Sequence, residues 1–213
     1  FAPVRWAILT LTLLAPAVAS AQEHGAYGRL QGDLTLEGAV GGGVTFAGDA
    51  LDAVSGAGAA ELRARYLDMA GLMAGVEIRP EGASRVLLMA DLRPLFFGRF
   101  ILGATFGDRY WDVLLDSIGI DLGLAVTPLE EGAGVAFAIG FGVDVPLVFF
   151  DAGISGISLR LFGRHVAAAE TDRFGPNAGV SDWIAGGMLV FRGQVATGLP
   201  GWEPRRYRLR ASE

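Results

Sequence analysis

Between Gly28 and Phe46 the chain reads GRLQGDLTLEGAVGGGVTF. Leu30, Leu34, Leu36, Val40, Val44 and Phe46 share one parity, with Gly32, Gly38 and Gly42 between them. Arg29, Gln31, Asp33, Thr35, Glu37 and Thr45 hold the other. A period of two is the period of a β-strand, whose successive side chains leave opposite faces. Strands of soluble sheets usually run about 5–6 residues, and this alternation is far longer. A tilted strand crossing a bilayer needs about 9–11 residues, apolar toward lipid and polar toward a lumen. The stretch predicts the first strand of a membrane β-barrel. It constrains architecture much more tightly than activity.

The pattern recurs. After a small, Gly-rich loop at Ala47–Gly58, Glu61 to Arg79 sets Leu62, Ala64, Tyr66, Leu72, Ala74, Val76 and Ile78 against Glu61, Arg63, Arg65, Glu77 and Arg79, with Asp68 out of step. A helical stripe of Leu62, Tyr66, Met69, Met73 and Val76 is the competing reading; the charge alternation and the glycines favour one strand. Pro80–Ser84 is a turn by composition. Arg85 to Phe100 places Val86, Leu88, Ala90, Leu92, Phe96 and Phe100 opposite Arg85, Asp91, Arg93 and Arg99, and Pro94 marks an edge, a bulge or a strand end. Gly107–Asp116 loses the period and reads as a loop with a short helix.

Ser117–Thr127 and Val135–Val145 alternate cleanly around a turn at Pro128–Gly134. An irregular segment is expected at Pro146–Ser155. A strand follows at Ile157–Ala167, a polar loop at Ala168–Gly179 and a last strand at Trp183–Val195, with Arg192 and Gln194 on its polar side. These make about seven strands, whereas single-chain bacterial barrels have an even number, eight at the small end. Phe100–Phe106 and the basic tail around Tyr207–Arg210 are the candidates for the eighth. The expected fold is all-β, an antiparallel up-and-down transmembrane barrel of about eight strands.

Three features separate this from a soluble sandwich with the same alternation. The segments are long. The polar face carries charges of both signs among many Gly and Ala, as suits a narrow lumen. Aromatic residues gather near predicted strand ends, where interfacial girdles sit: Tyr27, Phe46, Tyr66, Phe96, Phe97, Phe100, Tyr110, Trp111, Phe149, Phe150 and Trp183. An exported lipocalin-like barrel with an apolar, ligand-binding interior is the alternative.

Export is expected from the N-terminal stretch. Phe1–Ala21 has Arg5, an apolar run from Trp6 to Leu14, the breaker Pro16 and the small-residue site Ala19-Ser20-Ala21, the layout of a cleavable signal peptide. Residues 22–199 are then the barrel domain and 200–213 a basic tail or closing strand. Removing Arg5 leaves 16 Arg, no Lys and 23 acidic residues, a net charge of −7, which argues against nucleic acid as a partner. With no Cys there is neither a disulfide nor a lipidation site behind the leader. The mean hydropathy is +0.43, apolar for a soluble chain. In this pattern of leader, amphipathic strands, short turns and longer loops the chain resembles the small bacterial outer-membrane β-barrel proteins as a class. The resemblance implies a Gram-negative outer-membrane location and outer-membrane lipid as the partner. It carries no residue motif and designates no protein partner.

Side chains suited to catalysis are few. The two histidines are His24, in the lead-in, and His165, on the apolar parity of its strand beside Arg164 and Val166 with no serine adjacent in sequence. No catalytic residue, cofactor or metal site is expected. Gly41-Gly42-Gly43 lacks the Lys-Ser/Thr of a phosphate loop and reads as close strand packing. Asp49, Asp52, Glu130 and Glu131 read as solvated loop acids. The constellation with physical content is a set of charges on the lumen parity: Arg29, Asp33, Glu37, Glu61, Arg63, Arg65, Arg85, Asp91, Arg93, Asp121, Asp144, Arg160 and Arg164. Buried charges need partners, and an eight-stranded barrel is just wide enough for side chains to fill. The set predicts a structural salt-bridge core and an outer-membrane protein with a structural or interaction role. A narrow, porin-like pore for small or apolar solutes and a lipid-modifying enzyme built on His165 are the rivals.

Overall fold

The computed structural model describes residues 30–47, 54–80, 84–127, 134–151, 153–167 and 181–198. They form eight antiparallel strands, each hydrogen-bonded to its sequence neighbour, and β8 closes on β1. The strands are β1 (Leu34–Ala47), β2 (Val54–Tyr66), β3 (Ala70–Ile78), β4 (Arg85–Leu92), β5 (Gly119–Thr127), β6 (Gly134–Phe149), β7 (Gly156–Val166) and β8 (Asp182–Val195). Between β4 and β5 lie two helices, α1 (Pro94–Leu102) and α2 (Arg109–Asp116). The expected closed, all-antiparallel, eight-stranded barrel is the fold of the protein. The segment expected as a leader (1–21), Arg29, His24, Tyr27, the acidic positions at 49–52 and 130–131, and the segment 200–213 lie outside the described residues.

The eighth strand comes from neither candidate. Phe100–Phe106 holds the end of α1 and the loop behind it, and the barrel closes through β8 without the tail. Instead Glu61–Arg79 is a hairpin. Chain reversal occurs at Leu67-Asp68-Met69, with Leu67 and Asp68 both left-handed (φ 49° and 56°) and the Met69 amide donating to the Tyr66 carbonyl at 3.0 Å. The register pairs Tyr66 with Ala70 and Arg65 with Gly71, odd residues with odd. The same parity therefore faces inward on both sides of the turn, and alternation alone cannot tell this hairpin from one long strand. Asp68, out of step as a strand residue, is the turn itself.

Three other boundaries move. Residues 54–58, expected in a loop, begin β2, whose Gly56 and Gly58 pair with β1. β4 stops at Leu92, so Phe96 and Phe100 are helical rather than strand residues. Pro94 is the reason: it removes a ladder donor and favours the first turn of a helix, and Gly103, left-handed at φ 63°, ends α1. α2 starts where Asp108 accepts a hydrogen bond from the Trp111 amide at 3.1 Å. The expected irregular segment begins later than Pro146: β6 runs on to Phe149 through a register shift between Pro146 and Val148, and β7 begins at Gly156. A bulge at proline is the usual way a strand absorbs the lost donor.

Polarity is inverted relative to a soluble barrel. Leu62, Leu72 and Ile78 are 69%, 73% and 62% exposed on the outer face, whereas the charged residues of the opposite parity are buried in the lumen. One end of the barrel, here the helical end, carries the start of β1, the 67–69 turn, both helices and the end of β8. It is stoppered by Leu30, Phe96, Val113 and Ile154, with Leu67, Met69, Phe100 and Phe149 packed around them. Among the described residues no helix is long and apolar enough to cross a membrane.

Candidate functional site

The lumen is the one place where the fold concentrates chemistry. Starting at the helical end, Arg93 reaches Asp144 at 3.1 Å, and its Nε faces Asp91 at 3.7 Å. Arg160 holds Asp144 with Nε at 2.6 Å and Glu37 with Nη2 at 2.7 Å. Arg192 bridges the same two carboxylates at 2.5 and 2.6 Å. Arg65 donates to Glu37, to Asp68 at 2.8 Å and to Asp91 at 2.7 Å. Arg63 spans Glu61 at 2.7 Å, Asp121 at 2.7 Å and Asp91 at 3.0 Å.

Farther along, Arg164 joins Glu61 at 2.5 Å to Glu77 at 2.6 Å, and Arg79 joins Glu77 at 3.0 Å to Asp182 at 2.6 Å. Arg85 closes the series on Asp182 at 2.7 Å. The result is one connected ladder along the lumen, built from eight arginines (63, 65, 79, 85, 93, 160, 164, 192) and eight acids (37, 61, 68, 77, 91, 121, 144, 182). The charges balance.

Balance is what the surroundings require. Moving an ion out of water costs several kcal/mol even after relaxation, so each charge here persists only with its partners in place. Arginine suits the task because its planar fork serves two or three carboxylates at once. Around the ladder the lumen is apolar: Ala39, Ala57, Ala59, Phe162, Ile184, Met188 and Val190 on one side, Met73, Leu87, Met89, Ala125, Ala138 and Val166 on the other. Low-dielectric walls strengthen each pairing.

Two of the bridges span the lumen. Arg164 on β7 meets Glu77 on β3, and Arg85 on β4 meets Asp182 on β8. In an eight-stranded ring each of these pairs comes from opposite walls, so the side chains cross the full diameter. Arg65, Arg93, Arg160 and Arg164 are all at most 2% exposed.

Of the lumen charges expected from sequence, Glu37, Glu61, Arg63, Arg65, Arg85, Asp91, Arg93, Asp121, Asp144, Arg160 and Arg164 all join the ladder. Asp33 also points inward but does another job: its carboxylate receives the amide and hydroxyl of Thr197, tying the end of β8 to the start of β1. Five ladder members fall outside the expected set. Arg192, Glu77 and Arg79 stand on the lumen parity, which is the signal that finds them. Asp182 precedes the expected start of its strand, and Asp68 is hidden in the turn. The inward Met73, Leu87, Met89, Phe162, Ile184, Met188 and Val190 escape a parity reading, because apolar residues on both faces leave no contrast. Phe96, expected in an aromatic girdle, is instead buried in the stopper.

His165 faces outward and is half-buried, its ring 4.7 Å from that of Trp183. Nδ1 lies 3.2 Å from the Asp182 carbonyl and Nε2 lies 3.5 Å from Ser181 Oγ, so the fold supplies a serine that the local sequence does not. The Asp182 carboxylate points to the other side of the sheet, onto Arg79 and Arg85. Among the described residues no group of three or more His, Asp or Glu is placed to hold a metal ion. Compared with protein-family models and with curated proteins, the chain matches none of them.

Proposed function

We propose that the chain is an exported bacterial outer-membrane β-barrel with a structural or interaction role, anchored by its apolar outer face and closed to solutes by its ion-pair ladder. The observation that carries this reading is the inverted polarity: a band of exposed Leu, Val, Ile and Phe outside, sixteen paired charges inside. In water that arrangement would expose a large apolar surface at roughly 25 cal/mol per Å², far beyond the patches monomeric soluble proteins tolerate. In a bilayer the same surface is solvated by lipid, and a closed barrel leaves no strand edge unpaired. The leader at Phe1–Ala21 supplies the export route, and outer-membrane lipid is the partner. A lipocalin-like role gains no support from a lumen whose core is charged.

The test is expression in a Gram-negative host. The protein is expected in the outer-membrane fraction, with an unboiled band migrating apart from the boiled one, and planar bilayers containing it are expected to stay silent. A soluble periplasmic protein with no such shift overturns the membrane reading. Stepwise conductance leaves the barrel standing and replaces the closed lumen with a pore.

A further inference from the structure

We propose that the α1–α2 hairpin is an interfacial membrane element, its outward face bedded in the headgroup–acyl boundary of the leaflet at the helical end. This rests on the reading of the barrel as membrane-spanning. Most of the hairpin's polar groups are spent inward; the exceptions are Asp108, which caps α2 at the surface, and the partly exposed Arg109. Arg99 pairs with Asp112 and, at 2.6 Å, with Asp116; Thr105 Oγ1 and the Phe106 amide also bond to Asp112, at 2.6 and 2.9 Å. Phe96 and Val113 face the barrel mouth in the stopper. The large apolar side chains left outside are Leu95, Phe97, Ile101, Leu102, Phe106, Tyr110 and Trp111, with Leu102 72% and Ile101 65% exposed.

A lid washed by water would carry the opposite arrangement. Helices that lie in an interface pair a polar face with one rich in Trp, Phe and Leu, and Trp and Tyr favour headgroup depth because one end of each ring system is polar. The occupant follows from continuity. α1 begins two residues after the exposed Leu92 of β4, and α2 leads within four residues to the exposed Ile120 of β5. The hairpin is fixed to β6 by Arg109, whose guanidinium lies 3.8 Å over the Phe149 ring and donates to the carbonyls of Asp151 and Gly153. The apolar helix face thus continues the outer band of β4 and β5, and the lipid that covers one covers the other.

The experiment uses the full chain refolded into phosphatidylcholine vesicles whose acyl chains are brominated either near the headgroup or near the terminus. Two single-tryptophan forms are compared, one keeping Trp111 and one keeping Trp183 on β8, all others replaced by Phe. Trp111 is expected to be quenched more by bromine near the headgroup and to be shielded from aqueous iodide. The paired substitution Ile101→Gln with Leu102→Gln, at positions too exposed to serve packing, is expected to roughly halve that quenching and leave Trp183 and heat modifiability unchanged. Quenching of Trp183 with Trp111 open to iodide overturns the interfacial hairpin and leaves the barrel reading intact. Full Trp111 quenching in the Gln pair also overturns the assignment of this face. If neither tryptophan is quenched, both readings fall together.

Discussion

Single residues in the lumen differ in worth because they differ in how many partners they hold. Arg160 serves both Asp144 and Glu37 and is 2% exposed. Arg160→Met leaves those buried carboxylates with less compensation and is expected to cost about 3–5 kcal/mol, read as a lower urea midpoint for the refolded protein in micelles. Arg85 is different. Asp182, its partner, keeps Arg79 at 2.6 Å, and the pair sits toward the end of the barrel away from the helices. Arg85→Met should therefore shift the midpoint less than Arg160→Met; an equal shift would show that the ladder acts as a unit rather than pair by pair. At His165, whose ring nitrogens lie at the Asp182 carbonyl and Ser181 Oγ, replacement by Ala is expected to leave outer-membrane lipid composition unchanged in a host expressing the protein. A changed lipid profile would revive the enzyme reading.

The elements are held by backbone proximity as much as by side chains, and the β1–β8 seam shows it. Gly42 pairs with Gly187 and Gly43 with Gly186. A Cβ built on Gly186 would collide with the Gly42 carbonyl and lie 2.6 Å from the Gly43 Cα. Only glycine lets the two strands approach this closely. Gly186→Val is expected to weaken closure, seen as loss of heat modifiability or a markedly lower unfolding midpoint. Gly193→Ala is the control on the same strand, because a Cβ there meets nothing within 4 Å. The helices obey local rules just as clear: Pro94 opens α1, Gly103 closes it, and Asp108 caps α2.

Across the barrel as a whole, the ladder and the outer face make one consistent object. Bridges that cross the diameter at Arg164–Glu77 and Arg85–Asp182 explain why a barrel this narrow is expected to be silent in a planar bilayer, with a plug formed by its own walls. Net charge in the ladder is zero, so lowering the salt concentration should change neither closure nor conductance; salt screens exposed charges far more than buried ones. Heat modifiability is the matching global readout, because a closed hydrogen-bonded cylinder has no edge from which to unzip.

Much of this is legible in the patterning of the chain. A two-residue period with apolar and charged parities specifies strands, their length points toward a membrane, and parity alone places fourteen of the sixteen ladder charges on the lumen side. The 67–69 turn is not legible there, because an odd register carries parity straight through a reversal. Nor does patterning show which carboxylate each arginine takes, since partners such as Glu37 and Arg192 lie 155 residues apart and meet only when β8 closes on β1. The inward methionines and leucines are invisible for want of contrast. The stopper, too, belongs to tertiary structure: Leu30, Phe96, Val113 and Ile154 come from four separate segments, and only barrel closure gives them a common place to be buried.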